Sequence, residues 1–383
     1  MAATEREQAT RLGAVLSAAL ALPGLVPDTA RAEGAPEHTT VAYKQLYYKD
    51  WQPDMKRIQV SAPSVMIEAP VGPNLAIEAS AVNDVVSGAS PRYYTSLTGA
   101  SRMSDNRTAG DVKVTYYRPR SAYGLSVSHS GEHDYVSNAV GLDARFSSED
   151  NNTTFHVGLG GSSDDISATG FSASEFSGSR HTVELMAGVT QAMTANDLLQ
   201  INMTYSNGHG LYSDAYKGDN RPDTRRQFAV LTRWNHHVES MGATLRGSYR
   251  YYRDSWKVRS HTWQAEWVQP FGSRYSVTPL FRYYTQSSAS FYVDPEMNPV
   301  SGQPQLPSTL DTANLFTTDQ RLSAFGAVTV GVKAEMRLDP TWTTDLKLDY
   351  TEQRASWRIG GSGSPGLQPF KATSIQWGLS KVF

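Results

Sequence analysis

Leu199-Gln200-Ile201-Asn202-Met203-Thr204-Tyr205 alternates strictly, apolar at the odd positions and amide or hydroxyl at the even ones. Successive side chains of an extended chain point to opposite faces, so this stretch has one oily face and one polar face. Thr344-Asp345-Leu346-Lys347-Leu348-Asp349-Tyr350 repeats the pattern with charges on the polar face. So does the run in which Val328, Val330, Val332, Ala334 and Met336 alternate with Thr329, Gly331, Lys333 and Glu335. A soluble β-sandwich alternates too, so strand length and loop pattern have to decide between the two.

Working outward, the same reading predicts sixteen strands, at 41–49, 57–69, 75–86, 110–118, 122–130, 134–147, 153–160, 179–192, 197–206, 225–238, 242–253, 256–269, 274–286, 321–338, 342–354 and 371–383. Many run about 9–13 residues, long enough for a tilted strand to cross a bilayer, against about 5–6 for soluble strands. Tight turns fall at Val71–Asn74, Glu149–Asn152, Thr194–Asp197, Ser240–Gly242, Phe271–Ser273 and Asp339–Thr341. Each joins an even-numbered strand to the next odd one, so all lie on one side. The long connections near 87–109, 161–178, 207–224, 287–320 and 355–370 all lie on the other. Short periplasmic turns, long outer loops and an even strand count are what bacterial outer-membrane barrels show. The expected fold is therefore an all-β, antiparallel transmembrane barrel. Its first strand, within a segment at 33–56, has the weakest pattern, so fourteen strands stay open as the count; residues 57–383 form the barrel in either case.

Composition agrees. The chain has 383 residues, 39% hydrophobic and 19% charged, with a net charge of −2, and its mean hydropathy is −0.44. Yet it holds twenty Tyr and eight Trp, which suits interfacial aromatic girdles around a wet interior. A balance so near zero gives no reason to expect nucleic acid as a partner. The absence of Cys excludes disulfides, thiolate metal sites and covalently attached c-type haem.

At the N-terminus Arg6 and Arg11 precede the apolar run Leu12–Val26, and Ala30-Arg31-Ala32 offers a small-x-small cleavage site. This predicts a cleaved Sec leader over 1–32 and localisation in the Gram-negative outer membrane, in contact with lipopolysaccharide. At the other end Thr373, Ile375, Trp377, Leu379 and the final Phe383 share one face. That strand resembles the signal read by the barrel assembly machinery, carried here by Trp377, Leu379 and Phe383; Lys381 departs from the usual apolar residue.

If the apolar positions face lipid, the opposite set faces the interior. It holds Glu68, Glu78, Asp143, Glu184, Glu266, Glu335, Asp345 and Asp349 against Lys113, Arg145, Arg233, Arg246, Arg250, Arg282, Lys333 and Lys347. Arg or Lys facing hydrocarbon near the midplane costs about 2–4 kcal/mol, so this placement argues for a polar interior. Arg233, Arg246, Arg250 and Arg282 come from four consecutive strands around Glu266, either as a basic ladder for anions or as wall-holding pairs. Tyr252 and Tyr284 end upward strands beside Arg250 and Arg282 and are candidates for the interior mouth. Acids gather near the outer rim at Asp84, Asp105, Glu132, Asp134, Asp164 and Asp165. Oxygen ligands suit hard cations, but solvated loop acids explain the cluster equally. No catalytic constellation is present: Gly360-Gly-Ser-Gly-Ser364 is no nucleophile elbow, and His129, His133 and His181 have no fixed partner. No cofactor is expected.

Ser87-Gly-Ala-Ser-Pro91, Glu132-His-Asp-Tyr135, Asn152-Thr-Thr154 and Tyr249-Arg-Tyr-Tyr-Arg-Asp-Ser-Trp256 resemble an uncharacterised family of Gram-negative outer-membrane β-barrels, defined only as a domain of unknown function. Arg282–Gln286 and Ala289–Tyr292 continue the likeness. The resemblance implies a barrel and a genetic setting with a small lipoprotein, a thioredoxin-like protein and a flavin transferase. Three functions follow as expectations: a channel for small hydrophilic or anionic solutes; a plugged barrel docking or sheathing a periplasmic redox protein or lipoprotein; and, last, a rim hydrolase. Pro295, Pro299, Pro304 and Pro307 make the 287–320 segment irregular, and whether it folds into the barrel discriminates the first two.

Overall fold

The structure, a computed structural model, describes residues 34–53, 55–88, 103–167, 176–214, 219–300 and 304–383. The expected leader at 1–32 and part of the Ser87–Pro91 stretch lie outside them. Sixteen long strands close into one antiparallel barrel: β1 Thr40–Gln52, β2 Met55–Pro70, β3 Leu75–Gly88, β4 Met103–Arg118, β5 Ser121–Glu132, β6 Tyr135–Ser147, β7 Thr153–Ser167, β8 Ser177–Ala192, β9 Asp197–Gly210, β10 Thr224–Val238, β11 Ala243–Asp254, β12 Arg259–Phe271, β13 Tyr275–Gln286, β16 Phe325–Arg337, β17 Trp342–Arg354 and β18 Phe370–Val382. A two-residue hairpin, β14 Glu296–Met297 with β15 Pro304–Gln305, stands apart from the wall.

Every predicted strand is present. β1, the weakest by pattern, is hydrogen-bonded on both sides, to β2 and to β18, so the count is sixteen and not fourteen. Strand ends differ for a physical reason. β4 begins at Met103 rather than 110 and β7 runs to Ser167 rather than 160. Above the membrane no face has to be apolar, so pairing outlasts alternation. β12 and β16 start later than predicted, at Arg259 and Phe325, because Trp256 and a 3-10 turn at Gln320–Leu322 fold inward.

The even-to-odd turns are short, and glycine permits the tightest of them: Gly72 and Gly242 sit at φ 72° and 57°, which a β-carbon disfavours. On the outer surface Val114, Leu125, Leu142, Leu159, Leu185, Tyr205, Phe228 and Arg253 face one another in turn from β4 to β11. The row leaves β4 near its inner end and meets β11 at its outer end, so the strands are inclined to the barrel axis. Leu125, Leu142 and Leu185 are half exposed, an arrangement suited to hydrocarbon and not to water.

Candidate functional site

The inward face carries the predicted charges. Glu68 opposes Glu78, and Glu78 opposes Lys113. Lys113 Nζ lies 2.7 Å from Asp143 Oδ1, and His156 Nε2 stands 3.7 Å from the other carboxylate oxygen. A β-carbon on Gly124 would fall 2.3 Å from Asp143 Oδ1, so this ion pair needs the glycine beside it. Across the barrel Lys333 reaches Glu335 at 2.7 Å and Lys347 reaches Asp349 at 3.0 Å, each along its own strand. Asp345 opposes Glu335, and both Asp345 and Lys44 oppose Gly378.

The four arginines do converge on one stretch of wall. Arg246 Nη1 stands 4.0 Å from Glu266 Oε2. Arg282 Nε donates to Gln264 Oε1 at 2.8 Å, while Gln264 Nε2 donates to Glu266 Oε1 at 2.6 Å. Arg233 Nη1 donates to Gln200 Oε1 at 3.4 Å, and the Arg250 guanidinium lies 5.2 Å from the Tyr252 ring centre. β10 to β13 hold a single carboxylate below the outer mouth, Glu266, against these four guanidinium groups. The Arg246 side chain is 38% exposed and that of Lys347 32% exposed, although both point inward, so the interior has room for water.

The outer mouth is different. Tyr252 and Ala229 oppose each other on the inner wall, and both are buried by Leu322, Phe291 and Ala289 from the 287–324 connection. That connection therefore folds into the barrel. Trp256 stands edge-on between Tyr212 and Phe291, with ring centres 5.3 and 5.2 Å away. Arg225 lies 4.2 Å over the Trp256 ring and donates twice to Asp254 Oδ2, at 2.9 and 2.7 Å. Deeper in the mouth Arg221, from the connection between β9 and β10, bridges Asp219 of the same segment to Asp319 of the 287–324 connection, with Asp319 Oδ2 at 2.9 Å, and Thr317 Oγ1 donates to Asp219 Oδ2 at 2.7 Å. Burial opposes the Arg221 charge, but the carboxylates of Asp319 and Asp219 outweigh it and raise the pKa. Gln286, the last residue of β13, donates both amide hydrogens to the connection, to Arg321 O at 2.9 Å and Ser323 O at 2.6 Å.

The 355–369 connection fastens this packing from the side. Ala324 and Ser364 exchange hydrogen bonds at 2.9 Å, and Gly366 N–H donates to Asp294 Oδ1 at 3.1 Å. Burial raises the Asp294 pKa, which the Gly366 N–H and the Tyr292 hydroxyl only partly offset.

Tyr252 faces the interior mouth as expected, and is 3% exposed because it is part of this packing. Tyr284 donates to Gln286 Oε1 at 2.5 Å and packs on Phe325. The described rim acids do not gather. Asp84 turns inward to Arg107 at 3.9 Å, and Asp164 to Arg180 at 2.7 Å. Glu132 and Asp134 flank the β5–β6 turn, Asp165 lies on β7, and the Asp105 side chain lies outside the described part. Among the described residues no three of His, Asp and Glu converge as a metal ion would require. His129 Nδ1 lies 2.8 Å from Asn138 Oδ1 on β6, whereas His181 opposes His209 across β8 and β9, so His129, His133 and His181 do not share one site. At the seam Trp377 Nε1 donates to Thr344 Oγ1 at 3.0 Å, Leu379 opposes Tyr43, and Phe383 N–H donates to Thr39 O at 2.8 Å. Lys381 holds its ammonium over the Trp342 and Phe383 rings, at 5.1 and 4.3 Å, which explains why a cation is tolerated there. The sequence reading missed Arg221, Asp219, Asp319, Arg225 and Asp254; only the prolines of the connection gave a local sign of irregular structure.

A closed, inclined, sixteen-strand wall with an oily outside and a charged inside defines an outer-membrane β-barrel. The chain belongs to the family described as "Protein of unknown function (DUF3570)", whose profile matches residues 93–373. Among solved structures it is similar to a bacterial polysaccharide outer membrane secretin, at 7% identity and a TM-score of 0.49, over 90% of this chain and 98% of that one. It is similar also to OccK1 (OpdK) of Pseudomonas aeruginosa, at 9% identity and a TM-score of 0.46, over 92% of this chain and 100% of that one. The CymD monoaromatic hydrocarbon channel aligns at 8% identity and a TM-score of 0.46, over 91% and 89% of the two chains. No curated protein matches the sequence.

Proposed function

We propose that the protein is a passive outer-membrane channel for small hydrophilic solutes, favouring anions, exported through the Sec route and narrowed at its outer mouth by the 287–324 connection. The observation that carries this reading is the water-accessible charge on the inner wall: Arg246 and Lys347 keep about a third of their side-chain surface exposed inside a closed barrel. Sixteen-stranded barrels are wide enough to leave an aqueous channel. The arginines of β10, β11 and β13, with Glu266 as their one acid, supply a positive stretch of wall that would draw anions in. Planar-bilayer recording of the purified protein tests it. Stepwise conductance with anion-selective reversal potentials is expected, and the selectivity should fall in R246Q/R250Q. Silence at all voltages, in the intact protein and after deletion of residues 306–318, overturns it.

The packing of the 287–324 connection into the mouth supports a second reading, a plugged barrel that docks or sheathes a periplasmic redox protein or lipoprotein. Crosslinking in native membranes followed by purification tests this, and recovery of the barrel alone counts against it. An enzymatic role at the rim has no support in the geometry of His129, His133 and His181.

A further inference from the structure

Arg253 and Arg259 oppose each other directly across β11 and β12, on the outer face of the barrel, and both are exposed. Their β-carbons are about 4.5–5.5 Å apart in such a pair, and like charges placed so destabilise a sheet. Two more cations join them. Arg226 is exposed on β10, two residues from Phe228, which opposes Arg253. Lys257 is exposed at the tip of the turn between β11 and β12, where a left-handed backbone, φ 69°, holds it.

Among the described residues no acid compensates them. Asp254 turns inward, where its carboxylate takes Arg225 and the Val258 N–H. Asp223 bonds Thr224, its own neighbour, at 3.2 Å. None of the four cations makes an ion pair among the described residues. Elsewhere on the outer rim the pattern is the usual one: Arg354, on the outer face of β17, pairs with Glu352.

Directly below the four cations lies a field of rings. Tyr251 and Tyr249 on β11, His261 and Trp263 on β12 and Tyr283 on β13 all face outward, with His261 stacked on Trp263 at 5.6 Å and 11°. Aromatic rings of this kind mark the membrane interface, so the cations stand at headgroup height on the side of the long loops.

We propose that this face of β10–β12 binds the phosphate groups of the anionic glycolipid of the outer leaflet. A phosphate between Arg253 and Arg259 relieves their repulsion and accepts charge-assisted hydrogen bonds from both planar guanidinium groups, while Arg226 and Lys257 contribute charge from above. The acyl chains descend over Phe228, Tyr251 and Trp263. This inference rests on the orientation of the barrel and not on its being a channel.

Native mass spectrometry of the purified full chain with diphosphorylated lipid A, and with its phosphate-free form, tests the proposal. The chain should retain the phosphorylated lipid preferentially, and R253Q/R259Q, folded by its compact migration on gels, should retain about tenfold less or lower. R226Q/K257Q should lose less, and added inorganic phosphate should not displace the lipid. Equal retention by R253Q/R259Q, or no preference for the phosphorylated form, overturns the proposal. Displacement by free phosphate overturns the lipid assignment in favour of a soluble ligand. The chain has no Cys, so K257C labelled on intact cells by an impermeant maleimide reports the orientation separately; no labelling overturns the outer-leaflet assignment.

Discussion

The wall from β4 to β9 and the packed mouth under the 287–324 connection are held together by different physics. In the wall each strand is tied to its neighbours by backbone hydrogen bonds, and its outer leucines need only a hydrocarbon surround. In the mouth Tyr252, Trp256, Phe291 and Leu322 form a small dry core, with Arg221 and Arg225 buried against Asp319, Asp219 and Asp254. The outer face of the wall tolerates any side chain of the right polarity. The mouth depends on particular partners, because a buried charge that loses its partner has no water to replace it.

That contrast can be broken most strongly at Asp319. Asp319→Ala removes the carboxylate that Arg221 and Arg321 share, leaving Arg221 with Asp219, and should destabilise the connection by about 3–5 kcal/mol, leaving the barrel intact. Limited proteolysis within 306–318 should become rapid, and channel conductance should rise if the connection is a constriction. Leu322→Ala removes apolar volume from the same core and should cost the connection about 2–5 kcal/mol, read by hydrogen exchange at residues 287–293. A weaker blow falls on the wall. Leu142→Arg places a cation among half-exposed leucines and should cost the whole barrel about 2–4 kcal/mol, whereas Gly141→Ser on the inner face should cost far less. Urea unfolding in lipid vesicles compares the two; equal losses would contradict the assignment of faces.

The smallest effect is a pH dependence. The folded pKa of Asp294 is raised by burial, which outweighs the opposing pull of the Gly366 N–H, so protonation favours the folded, buried placement of this side chain beside Gly366. Its contribution is fully present below the unfolded carboxylate value and is lost as pH rises through the folded one. Amide exchange near Gly366 should therefore speed up as pH rises from about 4 beyond the correction for intrinsic exchange, with the unfolded carboxyl near 3.9. Asp294→Asn should flatten that excess; an unchanged profile in the variant would remove Asp294 as its source.

The wall was legible because lipid on one side and water on the other impose a period of two on every crossing strand. Leu199–Tyr205 and Thr344–Tyr350 show it without any tertiary knowledge, and turn parity then fixed the sides. What faded was whatever lay above the membrane. The outer ends of β4 and β7 lose the apolar face, so their extent was under-read. Trp256 and Leu322 sit next to strand-like runs and were read as wall, although they turn inward as core. The Arg221 and Asp319 pair joins residues 98 positions apart, and no local spacing announces such a contact. The arginines of β10, β11 and β13 were found because each is locally an inward position. Tyr252 was read by the same parity as inward at the mouth, but its cover was not legible, since it comes from a distant connection.

The seam between β1 and β18 constrains how such a hoop can change in size. Its fastening brings together the first and last strands, so deleting one strand anywhere would set two neighbours running in the same direction and spoil the antiparallel ladder. Growth or loss must come as whole hairpins, two strands at a time. Until the final hairpin arrives, the nascent sheet has two bare edges, each with amide groups unmet by a partner. A catalyst of insertion would have to cover those edges, and Phe383 lies beside the one that arrives last.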